Sequence, residues 1–106
     1  MRETETELKR KATKILKKYG KFISYNPYPF GEPGTPDKIG CINGKMILIE
    51  FKRAGSKLTP LQEIRKREWE KAGASVWVIN NIEDLKNKLK KEVIKNGNKK
   101  DTVTNS

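Results

Sequence analysis

Asp37, Glu50 and Lys52 are the residues whose types and spacing suggest chemistry, and one turn signal is enough to bring them together. Asn43-Gly44 is the strongest two-residue hairpin signature, because a type I′ turn needs φ > 0 at both central positions. With those residues as the loop, Ile42 pairs with Lys45, Cys41 with Met46, Ile39 with Leu48, and Asp37 falls directly opposite Glu50. Directly opposed residues share a sheet face, and the period of two puts Lys52 on the face of Glu50. Two carboxylates and an ammonium group therefore converge at one end of an otherwise apolar hairpin. Like charges facing each other across a strand pair destabilise it, and close carboxylates push one pKa upward. A divalent cation reverses that balance, because its own charge dominates the local field. Oxygen ligands from two carboxylates suit Mg²⁺, which keeps several waters and favours sites completed by substrate phosphate. The competing reading is that Asp37 caps the strand in solvent while Glu50 and Lys52 form an ordinary surface pair.

The rest of the composition narrows the chemistry. The chain has no histidine and one cysteine, so a histidine general base, a Ser-His-Asp triad, a zinc finger and an internal disulfide are all excluded. There is no GxxxxGK[ST] phosphate cradle. Hydrolysis, where it occurs, has to run on carboxylates, lysine and a hard metal ion. The 106 residues make one domain with a modest core, and a net charge of +11 points to a polyanionic partner, nucleic acid before membrane. No apolar run approaches the ~18 residues of a membrane span, and the N-terminus has no secretory h-region. The lone Cys41 fits a reducing cytoplasm. Lying between apolar neighbours, it reads as a small core residue.

The elements that must position the acidic pair can be read in order. Leu8, Ala12, Ile15, Leu16 and Tyr19 form the apolar stripe of a helix from about Glu3 to Tyr19, ended by Gly20. Glu3, Glu5 and Glu7 all suit the positive end of its dipole, but Glu5 alone extends the stripe toward the sheet. Lys21 to Asn26 reads as a strand, and Pro27 to Pro36 as a loop. Tyr25, Tyr28 and Phe30 either stack on bases there or pack that loop onto the body. Lys45 to Lys52 is apolar on both faces, which implies a central strand covered by helices on both sides. Thr59-Pro60-Leu61-Gln62 is a capping box with proline at N1, opening a helix that Gly73 closes. Ser75 to Asn80 is a short strand, which a helical crossover makes parallel to the Glu50 strand. Asn80 or Asn81 caps a last helix with Leu85 and Leu89 facing inward, and a polar tail follows from 96. Arg53 and Lys57 in a basic connection, Lys38 beside Asp37, and Arg65 on the helix are candidate phosphate contacts.

Pro36-Asp37 followed by Glu50-Phe51-Lys52 has the form of the PD-(D/E)xK nuclease motif. With Gly34-Thr35-Pro36-Asp37 and Lys57-Leu58-Thr59-Pro60-Leu61-Gln62 added, the chain from about Thr4 to Leu85 resembles the virus-type replication-repair nuclease (VRR-NUC) family, in particular its small stand-alone members. The resemblance implies an α/β fold with a restriction-endonuclease-like core, a mixed β-sheet flanked by helices in the order α-β-β-β-α-β-α, over residues 1–95. It implies a Mg²⁺-dependent endodeoxyribonuclease, with Mn²⁺ as a substitute, in which Asp37, Glu50 and the Phe51 carbonyl hold the metal. Lys52 would act on the attacking water or the developing charge, Glu5 would support the metal from the first helix, and Gln62 would belong to the active site as well as to the cap. It further implies branched or four-way DNA as substrate, homodimers presenting two sites, and a cytoplasmic setting (that of the host if viral). A non-catalytic nucleic-acid-binding module and an interaction domain of a replication complex stay open beside it.

Overall fold

The chain runs α1 (Glu5–Leu16), β1 (Lys21–Ser24), β2 (Lys38–Ile42), β3 (Lys45–Phe51), α2 (Pro60–Lys71), β4 (Ser75–Ile79) and α3 (Ile82–Thr104) in the computed structural model, which describes residues 3–24 and 33–104, with side chains to Ile94. The strands form one mixed sheet in the order β1-β2-β3-β4, antiparallel except for the parallel β3/β4 pair. Tyr25, Tyr28, Phe30 and the loop as far as residue 32 lie outside the described residues.

The hairpin fixes the rest. Asn43 (φ 49°) and Gly44 (φ 87°) both adopt the left-handed conformation a type I′ turn needs. Ile42 pairs with Lys45, Cys41 with Met46, Ile39 with Leu48 and Lys38 with Ile49, the register expected from the turn. The strand β3 lies inside the sheet and is buried on both faces. Ile47, Ile49 and Phe51 join Ile42, Ile79, Leu8, Ala12, Leu16, Leu85 and Leu89 in the core, so α1 and α3 cover that face. Leu48 and Glu50 point to the opposite face, where α2 lies against β4.

Local chemistry explains where the helices start. Thr4 is the N-cap of α1, its hydroxyl accepting from Glu7 N–H (3.1 Å) while Thr4 N–H donates to the Glu7 carboxylate (3.1 Å). Thr59 and Gln62 form the same box at α2, with Pro60 in the first turn. Asn81 caps α3, accepting from Asp84 N–H at 2.7 Å.

Several expectations are corrected. The first helix stops at Leu16, and Tyr19 is 37% exposed rather than part of the stripe. Gly20 is required for a different reason than a left-handed cap: a Cβ there would stand 2.2 Å from the Cys41 carbonyl oxygen. Cys41 is exposed, not in the core. It shares its face with Ile23, Ile39 and Met46, over the β1/β2 half of the sheet, and Ile23 and Met46 are exposed as well. The last helix holds its backbone form through Thr104, past residue 96, where a tail was expected.

Candidate active site

The acidic pair forms at the end of the hairpin, in a geometry different from simple opposition. Strand pairing ends at Lys38–Ile49, and the chain bends at Asp37. Asp37 therefore stands just outside the ladder, and its carboxylate replaces the missing backbone partner: Phe51 N–H donates to Asp37 Oδ2 at 2.8 Å. The other oxygen, Oδ1, meets the Lys9 ammonium at 3.4 Å. Pro36, buried, leads the chain into this bend.

Glu50 is the buried member of the pair, only 6% exposed. Burial first, and the Asp37 charge second, push its carboxyl up from 4.5 to about 8, against the pull of Lys52 and Lys9. Glu5, half-buried at the start of α1, adds the weakest of these influences, in the same direction as Asp37. Gln62 reaches the site as well as the cap. Its Nε2 donates to Glu50 Oε2 at 2.9 Å, while its Oε1 accepts from Thr59 N–H at 2.9 Å. The capping box thus fixes the amide orientation that faces Glu50, so one side chain serves the cap and the hydrogen bond to Glu50 together.

Glu7 and Glu3 are held elsewhere. The Thr4 backbone and hydroxyl hydrogen bonds keep the Glu7 carboxyl below the usual carboxylate range, and Glu3 pairs with Lys11. Of the four expected phosphate contacts, Arg53 and Lys57 are exposed in the β3–α2 connection. Arg65 is tied into the fold: its Nε donates to the Pro33 carbonyl at 3.2 Å and its Nη1 meets Glu68 at 3.0 Å. Lys38 is 6% exposed and donates to Ser24 Oγ at 2.7 Å. Its burial lowers the lysine pKa, with the neighbouring Asp37 opposing the shift.

Lys9 is a residue at the acidic pair that the sequence does not single out. The available signal was its position four residues after Glu5, which puts both on one side of α1.

Among the described residues no three Asp, Glu or Cys side chains stand close enough to cage a metal ion. The donor set is two carboxylates, and Mg²⁺ commonly uses one or two together with water and substrate phosphate. Gln62 occupies one oxygen of Glu50 and leaves the other, and each Asp37 oxygen keeps a further lone pair. The pair fits a hard cation on donor chemistry. Among the described residues no helix is long and apolar enough to cross a membrane. Comparison of the chain with family models, with curated proteins and with solved structures gives no match.

Proposed function

We propose that this protein is a metal-dependent endonuclease that hydrolyses phosphodiester bonds in DNA, with Asp37 and Glu50 at its centre. One observation carries the reading: a buried carboxyl, Glu50, lies in the field of a second carboxylate and is hydrogen-bonded by an amide that α2 holds in place. A buried carboxylate beside a second one is costly to a fold unless something compensates its charge, and a hard cation with a phosphate ligand would supply that compensation. The VRR-NUC resemblance in Pro36-Asp37, Glu50-Phe51-Lys52 and Leu58-Thr59-Pro60-Leu61-Gln62 supports the same reading.

The cation in this proposal is Mg²⁺, or Mn²⁺ in its place, held by Asp37 and Glu50 with the Phe51 carbonyl. When bound it lowers the pKa of a water and neutralises charge on the scissile phosphate. The protein's own contribution is orientation and charge. Gln62 fixes the Glu50 carboxylate, and the Phe51 amide fixes Asp37. Lys52 supplies positive charge beside Glu50, where it stabilises a developing oxyanion or orients the attacking water. Glu5 acts from the start of α1 through the field at the same centre.

A preference for branched or four-way DNA and a homodimeric assembly belong to the proposal through the family resemblance. Labelled linear, flapped and four-way DNA incubated with Mg²⁺, Mn²⁺ or EDTA test it. Cleavage with either metal and none with EDTA is expected, fastest on a branched substrate. Tight binding with no cleavage under any condition would instead favour a binding module, whose affinity the net charge of +11 explains without chemistry.

A further inference from the structure

We propose that the cleft between α1 and the adjoining ends of β1 and β2 is a phosphate subsite, holding the phosphate next to the scissile one on a bound DNA strand. The inference rests on the nuclease reading for the identity of its ligand, but the cleft stands on its own geometry. It has a volume of about 390 Å³ and is walled by Lys9, Arg10, Ser24, Asp37 and Lys38, with Thr13 and Phe51 completing it. Three cationic side chains thus face one carboxylate. Among the described residues, the ion pair between Lys9 and Asp37 leaves the positive charge of the cleft in excess.

The cations are placed by the fold rather than scattered on its surface. Lys9 and Thr13 are one helical turn apart on α1, and Arg10 flanks them. Lys38 opens β2 opposite Ser24, the last residue of β1. Lys38 is buried, and among the described residues its ammonium donates to Ser24 Oγ. An ammonium carries three donors, and a hydroxyl that accepts one of them still has its own proton to give. Lys38 and Ser24 therefore present donors into a cleft whose outer edge is Arg10, an arrangement suited to phosphate oxygens. A buried lysine that serves only to join two strand ends would gain nothing from two more cations beside it, because like charges repel most where water is scarce.

Position supplies the link to DNA. Asp37 and Phe51 line the cleft and also join each other through the hydrogen bond that anchors the acidic pair. The cleft and the candidate active centre are therefore neighbours sharing a wall, as adjacent phosphates of one strand require. Lys17 adds to the local field at Lys38 and extends the basic side of α1 away from the centre.

Titration of the ¹⁵N-labelled protein with inorganic phosphate, without divalent cation, tests the subsite apart from any cleavage. Saturable shifts of the Thr13, Ser24 and Lys38 amides are expected. Lys38→Met should abolish them, and Arg10→Ala should weaken the apparent affinity by about tenfold, the loss of one charge-assisted contact. Shifts centred on Arg53 to Lys57 instead, or unchanged affinity in Arg10→Ala, would overturn the proposal. Arg10 is exposed, so its variant decides the matter even if Lys38→Met does not fold. On duplex DNA, Arg10→Ala should lower the slope of log affinity against log salt by roughly one, and an unchanged slope contradicts the subsite. Phosphate bound here by a protein that cleaves no DNA would refute the nuclease reading and keep the subsite. Cleavage with wild-type KM in Arg10→Ala would refute the subsite and keep the nuclease.

Discussion

Glu50 holds its proton to about pH 8 when no cation is bound, since burial and Asp37 both disfavour its charge. The folded state keeps the proton up to about 8 and the unfolded state only to 4.5, so the stability this group contributes is fully present below pH 4.5 and lost as pH rises toward 8. Thermal unfolding of the metal-free protein should therefore fall in midpoint across that window, and Glu50→Gln should flatten this part of the curve. Saturating Mn²⁺ should raise the wild-type midpoint most at the alkaline end, because a ligand that binds only the native state stabilises it and competes with the proton. Glu5 permits a second test at the same scale. It influences Glu50, whereas Glu7 closes the capping box and Glu3 pairs with Lys11. Glu5→Gln should sharply reduce metal-dependent cleavage with little change in stability. Glu3→Gln and Glu7→Gln should cleave near the wild-type rate, Glu7→Gln losing a little helix stability because the capping box keeps its hydrogen bonds but loses the charge at the positive end of the dipole. A dead Glu7→Gln beside an active Glu5→Gln would mean that α1 meets the site through the other residue.

Gln62 couples a helix start to the site, so α2 is the element on which to separate structure from chemistry. Thr59→Ala removes the N-cap and should cost ~1 kcal/mol by denaturant unfolding, while cleavage falls modestly. Gln62→Ala should cost similar stability and lower cleavage further, because it also frees the Glu50 carboxylate that the amide orients. Equal cleavage in the two variants would make Gln62 a cap alone. What the sequence discloses at this scale depends on how local the cause is. The hairpin register follows from two adjacent residues that must both adopt φ > 0, and both capping boxes from short spacings. The bend at Asp37 does not, because it depends on a buried Pro36 and on a side chain satisfying the Phe51 amide fourteen residues away. Cys41 misleads for a related reason: apolar neighbours imply burial, but no described helix covers the β1/β2 half of its face. Gly20, read from sequence as a helix end, and Gly40, which no local signal singles out, are each needed where the chain approaches too closely for a Cβ, Gly20 against the Cys41 carbonyl and Gly40 against the Phe22 ring. The nearness of Lys9 to Asp37 and of Lys38 to Ser24 needs the tertiary fold and has no local signature.

Over the whole molecule, a net charge of +11 sits around a centre where three carboxyl groups, Asp37, Glu50 and Glu5, act on one another and Glu50 keeps its proton until a cation displaces it. Binding and chemistry are thereby separable. On the proposed nuclease reading the basic surface attracts phosphates at long range, and the Asp37 carboxylate repels them until a cation is present. Log affinity for duplex DNA should fall linearly with log salt by roughly 0.9 per phosphate contacted, and a nearly flat dependence would remove nucleic acid as the partner of this charge. The same separation gives the most direct test of the central claim, made with one substitution and two readings on one preparation. Asp37→Asn removes a negative charge but keeps a side chain able to accept from the Phe51 amide. Cleavage of labelled DNA in Mg²⁺ and binding to the same DNA in EDTA are then measured against wild type. Asp37→Asn should abolish cleavage while DNA affinity is unchanged or higher. Cleavage retained at the wild-type rate, or cleavage and affinity lost in parallel, would contradict it and leave Asp37 as a brace for the strand end.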